Sequence, residues 1–127
     1  MDNPVEKFFV LLGMGNVEEA ISLVSENTVF EAQGPSSVPI YGKFHGKEGV
    51  KEFIKILGEL FDTEAFNIYK FAVKDEYTFA HGYMQHRIRK TDKVFTSEWA
   101  LVCTTKNGKI TSYKMFEDTA ALEAAYT

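Results

Sequence analysis

The chain has 127 residues, 45% of them hydrophobic and 25% charged, with a net charge of −4 at pH 7. That balance fits a single globular domain spanning residues 1–127, long enough to bury a core without staples, and excludes a disordered segment. Its Lys and Arg side chains are scattered, which argues against a nucleic-acid partner.

Pro4 suits a helix start, and Val5, Phe8, Phe9 and Leu12 make one stripe of a first helix ending near Gly13-Met14-Gly15. Asn16 then reads as an N-cap, with Glu18 and Glu19 at the positive end of the helix dipole. Val17, Ala20, Ile21 and Val24 recur at helical spacing before Ser25-Glu26-Asn27 breaks the pattern. Thr28-Val29-Phe30 carries strand formers. Alternation points Phe30 inward and Glu31 outward. The text from Gly34 to Phe44 reads as an irregular loop, and such loops often close over a cavity mouth. A third helix runs from Lys47 to about Phe61, with Val50, Phe53, Ile54, Leu57 and Phe61 on one face.

Four strands follow: Phe66 to Val73, Tyr77 to Arg89, Val94 to Thr105 and Ile110 to Glu117. Their turns are Lys74-Asp75-Glu76, Thr91-Asp92 and Asn107-Gly108, and a short last helix starts at Asp118 or Thr119. The order predicts an α+β fold, a curved sheet wrapped around a helical layer, with a conical cavity between them. A two-residue turn at Thr91-Asp92 would set Met84 opposite Trp99 and His86 opposite Ser97. One sheet face then carries Ala80, Gly82, Met84 and His86 with Ser97, Trp99, Leu101 and Cys103, and this more apolar set is taken as the pocket face. The other face carries His81 and Glu98. For the last strand two parities stand open. A two-residue Asn-Gly turn places Lys114, Phe116 and Asp118 beside Trp99; a three-residue loop with a glycine bulge places Tyr113, Met115 and Glu117 there.

His86 is the leading acid–base candidate, because an imidazole titrates near neutrality. Asp118 is the second, and a plain helix N-cap is its competing reading. Cys103 lies in the apolar run Trp99-Ala100-Leu101-Val102-Cys103 and reads as a buried packing residue. As the single cysteine it makes no internal disulfide, which fits a reducing cytoplasm. No apolar run has membrane-spanning length, and the N-terminus lacks a signal-peptide pattern. Neither CxxC, HExxH, a P-loop nor GxGxxG occurs, and His45, His81 and His86 lack metal-ligand spacing, so no metal and no cofactor are expected.

Three stretches, GNVEEAISLVSENTVF, YGKFHGKEGVKEFI and NGKITSYKMFEDTAALEAA, together resemble the nuclear transport factor two-like superfamily, in its SnoaL-like and ketosteroid-isomerase-like branches. The resemblance implies a cone-shaped curved antiparallel or mixed sheet around three N-terminal helices, with a short C-terminal helix, a deep apolar pocket and a homodimer. The dimer would use the convex face of the sheet, where Tyr83, Thr96, Ala100, Val102 and Tyr113 form a semi-apolar strip. The family includes isomerases, cyclases, epoxide hydrolases, dehydratases and binding modules, so fold alone leaves function open. The isomerase's general-base Asp aligns with Ala32, its oxyanion-hole Tyr with Phe8 and its protonated Asp with Ser97 or Glu98. The epoxide hydrolases' Arg and Asp align with Gly82 and Met84. True ketosteroid isomerisation is therefore not expected.

The expected ligand-contact set is Phe8, Phe30, Ala32, Tyr41, Phe53, Leu57, Met84, Ser97, Trp99 and Phe116. The expected function is binding of a small, mostly apolar organic molecule, with a cofactor-free isomerase, cyclase or lyase reaction in which His86 or Asp118 moves a proton. The alternative is a non-catalytic ligand-binding or dimerisation module that has lost the family's catalytic carboxylates.

Overall fold

The first helix begins where Asn3 turns its side chain back onto the chain, accepting from the backbone N–H groups of Val5 and Glu6. A computed structural model describes residues 3–127. Helix α1 spans Pro4–Gly13 and buries Pro4, Val5 and Phe8. Helix α2, Val17–Ile21, is one short turn and a half. Asn16 occupies its N-cap position without a capping bond, donating instead to the Glu19 side chain at 3.3 Å. The strand after it, β1 (Val24–Ala32), begins earlier than the polar Ser25-Glu26-Asn27 predicts. Pairing to the neighbouring strand is interrupted between Val24 and Val29, and Glu26 and Asn27 are exposed there.

Within the expected loop lies a short edge strand, β2 (Gly42–His45), paired antiparallel to Val29–Ala32. The four-residue strand is exposed on three positions, so it carries no alternation to read. Helix α3, Gly46–Leu60, buries Val50, Phe53 and Leu60 against the sheet. Strands β3 (Phe61–Lys74), β4 (Tyr77–Ile88), β5 (Val94–Lys106) and β6 (Lys109–Phe116) form the long meander, and α4 (Thr119–Tyr126) closes the chain. The six strands lie in the order β2-β1-β6-β5-β4-β3, antiparallel except for β1 against β6. This is the α+β arrangement the sequence predicts: a curved mixed sheet with the N-terminal helices across its concave face.

Two connections decide which side chains face that hollow. The β4–β5 connection runs from Arg89 to Lys93, with four residues, Arg89 to Asp92, inside the closing bond from Ile88 N–H to the Lys93 carbonyl at 2.8 Å. The predicted two-residue turn is thus too short, and the register moves by two: Met84 faces Ser97, His86 faces Phe95, and Gly82 faces Trp99. A shift of two leaves every side chain on its predicted face. Gly82 is required there, since a Cβ would stand 2.0 Å from the Asn67 carbonyl oxygen and 2.5 Å from the Trp99 ring.

The β5–β6 turn is the two-residue Asn107-Gly108, with φ of 54° and 75°, the geometry of a type I′ hairpin. Beyond it the register slips between Thr104/Ser112 and Thr105/Ile110, leaving Thr111 as an extra residue. Thr104 Oγ1 shares hydrogen bonds with both Thr111 and Ser112 across this bulge. The tight turn of one sequence reading and the inward set of the other are therefore combined. Tyr113 and Met115 point into the core, while Phe116 is 42% exposed on the outer face. Tyr113 consequently leaves the predicted convex strip and stacks flat on Phe30 at 4.3 Å. Phe8, Phe30, Phe53 and Tyr113 form the aromatic centre of the core, each fully buried side chain contributing roughly 1.5–3 kcal/mol.

Candidate functional site

Between α1, α3 and the concave sheet lies a cavity of about 520 Å³. Its wall is mainly apolar: Phe9 and Leu12 from α1, Phe53, Ile54 and Leu57 from α3, with Phe66 and Met84 from the sheet. Ala32 ends β1 at this wall and supplies a methyl group where the isomerase pattern would set a carboxylate. The polar exceptions are Thr63, His86, Tyr113 and Glu117.

His86 projects from β4 and is only 7% exposed. Its ring stacks on Phe61 at 4.2 Å, and its Nδ1 lies 2.9 Å from Thr63 Oγ1. Burial without a counter-charge pushes the imidazole down from 6.5 to about 4, so it is neutral at pH 7. A neutral imidazole has one donor and one acceptor nitrogen; with Nδ1 held by Thr63, Nε2 remains for a bound molecule. Thr63 reaches this position because β3 carries a bulge between Thr63 and Ala65. The intervening Glu64 turns outward to Gln85 and Arg87.

Glu117 follows β6, and the bulge at Thr111 gives it the inward parity of Tyr113 and Met115. Tyr41 donates to its carboxylate at 2.8 Å. Burial raises the Glu117 pKa and outweighs the opposing effect of the Tyr41 bond. Burial and the Glu117 charge both push the Tyr41 phenol far up, so it stays protonated and remains the donor. The cavity thus carries a neutral base on one strand and a carboxyl of raised pKa after another, with apolar surface between.

Of the predicted contact set, Ala32, Phe53, Leu57 and Met84 line the cavity, together with the acid–base candidate His86, and Tyr41 reaches it through Glu117. Phe8 and Phe30 are core residues behind the wall. Trp99 stands behind Phe66, stacked at 5.0 Å, and its buried indole N–H has no partner. Ser97 turns its hydroxyl to the backbone, accepting from Asp118 N–H at 3.0 Å and donating to Glu98. The predicted His86–Ser97 pair does not form, because the longer β4–β5 loop moves the register. Phe116 and Asp118 lie outside the cavity because of the Thr111 bulge. Asp118 is exposed and caps α4, its Oδ1 accepting from Ala121 N–H at 3.1 Å. The carboxylate that enters the cavity is its neighbour Glu117, present in the sequence only as one of two open parities. Thr63, hidden in a polar stretch ahead of the predicted strand, had no signal of its own. His81 and Glu98 lie on the opposite face, as the parity predicts, and meet there at 2.8 Å. Cys103 is buried, and burial pushes its thiol well up, leaving it a packing residue.

Among the described residues no group of three His, Cys, Asp or Glu side chains is placed to hold a metal ion. No described helix is long and apolar enough to cross a membrane. No curated protein matches the sequence. Among solved structures, an NTF2-like protein from Burkholderia xenovorans LB400 superposes with a TM-score of 0.91 at 22% identity, covering 99% of this chain and 96% of that one. TerC, crystallised with polyporic acid, gives 0.87 at 15% identity, covering 99% and 98%. A protein from Mesorhizobium loti, named as a candidate SnoaL-like polyketide cyclase, gives 0.70 at 19% identity, covering 89% and 95%. At these identities the NTF2-like likeness is one of fold. The SnoaL-like domain model matches residues 5–113, and the chain belongs to that family.

Proposed function

We propose that the protein is a cofactor-independent acid–base enzyme of the isomerase or cyclase type, acting on a small, mostly apolar organic molecule held in the cavity. One observation carries this reading: a neutral His86 and a carboxyl with raised pKa, Glu117, line the same apolar space. His86 Nε2 accepts a proton from a carbon made acidic by an adjacent carbonyl. Glu117, in its protonated form, donates a hydrogen bond to the carbonyl oxygen as negative charge develops there. The proton then returns from His86 to a different carbon in an isomerisation; in a cyclisation the carbanion attacks a second carbonyl and the alkoxide so formed takes the proton back from His86. A positioned acid or base contributes about a hundred- to ten-thousand-fold in rate, and the lowered pKa of His86, which makes it a weaker base than a free imidazole, sets its share at the lower end. The apolar wall supports it by excluding water, which strengthens hydrogen bonds to the developing charge.

The test is exchange of α-protons of phenylacetone with solvent deuterium, followed by proton NMR. The wild type accelerates exchange, and both His86→Gln and Glu117→Gln lower the rate at least tenfold. Exchange at the buffer rate in the wild type with a panel of ketones that do bind would contradict the enzymatic reading.

A second reading rests on Ala32. The wall carries a methyl group where the isomerase pattern has its base, which favours a non-catalytic ligand-binding module. The same experiment separates the two, since a module of that kind binds ketones without exchanging their protons. A homodimer through the outer sheet face belongs to the same proposal. That face presents Tyr77, Phe79 and Phe116, all 40% exposed or more, beside Ala100 and Val102. Size-exclusion chromatography giving a monomer at high concentration would remove it.

A further inference from the structure

A second hollow, of about 450 Å³, lies on the far side of Phe9, between α1 and the second half of β3. Its helix wall is Glu6, Val10 and Gly13, spaced to share one helical face. Its strand wall runs through Ile68, Tyr69, Lys70 and Phe71 without skipping a residue. Consecutive residues can line one groove here because β3 bulges between Ile68 and Lys70, and such bulges often re-aim side chains beside binding sites. Phe9, Gly13 and Phe66 border both the groove and the inner cavity. The divider is therefore the Phe9–Phe66 ring pair, 5.4 Å apart and tilted by 36°. Beside it Gly13 leaves open space, with no atom within 4 Å of where a Cβ would stand.

Glu6, on the helix wall of the groove, also carries an unmet polar demand. Glu6 Oε1 is shielded from solvent and has no hydrogen-bond partner. Lys70 borders the same groove, yet no ion pair joins the two among the described residues. A shielded carboxylate oxygen without a donor is costly unless something supplies one. Glu6 lies seven residues from Gly13 along α1, about 10 Å away at the helical rise.

We propose that the groove is the outer compartment of the same binding site, and that the natural ligand is elongated. Its apolar body fills the inner cavity, its chain passes Gly13 beside the Phe9–Phe66 pair, and its far end donates a hydrogen bond, from a hydroxyl or amine, to Glu6. This rests on the inner cavity being a ligand site, as proposed above, and adds the length and terminal chemistry of the ligand.

Three probes test it: ethylbenzene, which fits the inner cavity alone; phenylhexanol, which reaches the groove with a donor; and the methyl ether of phenylhexanol, which reaches it without one. Binding is read from fluorescence of Trp99, the single tryptophan, stacked on Phe66 at the divider. Phenylhexanol binds at least tenfold more tightly than its ether, and Glu6→Ala abolishes that difference. Val10→Phe, on the helix wall of the groove and away from the inner cavity, weakens both long probes at least tenfold and leaves ethylbenzene unchanged. Equal affinity of alcohol and ether, or indifference of the long probes to Val10→Phe, overturns the outer compartment while ethylbenzene still binds. Failure of ethylbenzene itself to bind refutes the inner cavity as a ligand site, and the outer compartment with it.

Discussion

Replacing His86 by glutamine changes how stability responds to acid, and the size of the change follows from burial. In the folded protein the imidazole is held down from 6.5 to about 4, with Thr63 as its hydrogen-bond partner and Phe61 stacked on its face. An unfolded chain keeps the ordinary value. The unfolded state therefore binds a proton that the folded state refuses, and stability falls as pH drops through 6.5 toward 4; above that window it is flat. For a shift of this size the loss between pH 7 and pH 5 is about 2 kcal/mol, approaching roughly 3 kcal/mol near pH 4. The ring is 7% exposed, so solvent screening takes little from it. The glutamine side chain of the variant cannot titrate, and its amide can still meet Thr63.

Urea unfolding of wild type and His86→Gln at pH 7 and pH 5 isolates the effect, since Glu117 and the surface carboxylates contribute equally to both proteins. The stability difference between them should move by about 2 kcal/mol in favour of the variant on going to pH 5. A difference that stays constant with pH would mean that His86 is not held neutral by burial.

Other consequences are as direct. Gly82→Ala forces a Cβ to within 2.0 Å of the Asn67 carbonyl oxygen and should cost more than about 2 kcal/mol in chemical unfolding, a wild-type midpoint being the contrary result. Tyr41→Phe removes the phenol that donates to Glu117, so the Glu117 pKa should rise further, seen by carboxyl infrared titration, with a stability loss of about 1–3 kcal/mol. Asp118→Ala should cost about 1 kcal/mol through loss of the α4 cap and leave proton exchange on a bound ketone unchanged. Reduced exchange at full occupancy would return Asp118 to the site.

The helices and the meander were legible because their signals are local. Apolar spacing in Val50, Phe53 and Leu57 marks α3, and alternation through Ala80, Gly82, Met84 and His86 marks the inner face of β4. That face survived an error in hairpin length because side-chain parity is unaffected by a shift of two. The last strand is the opposite case. Asn107-Gly108 announces its turn plainly, but the extra residue at Thr111 reverses the parity of everything after it. A hydroxyl-rich stretch facing Thr104 and Thr105 is the only trace such a bulge leaves in the sequence. The consequence falls on the site itself: Glu117 rather than Asp118 enters the cavity. The strand β2 and the start of β3 were illegible for a related reason. Both lie at sheet edges, where one side of the strand meets solvent and polar residues are accepted without a pattern.

The account stands on His86 being a neutral base open to a ligand in the cavity, and imidazole nitrogen NMR with naphthol as the probe tests it most directly. At pH 7 the His86 resonances, identified by their loss in His86→Gln, should report a neutral ring, and naphthol should shift the Nε2 signal while leaving Nδ1 nearly still. A protonated ring at pH 7, or nitrogens indifferent to a naphthol that binds, would contradict the account.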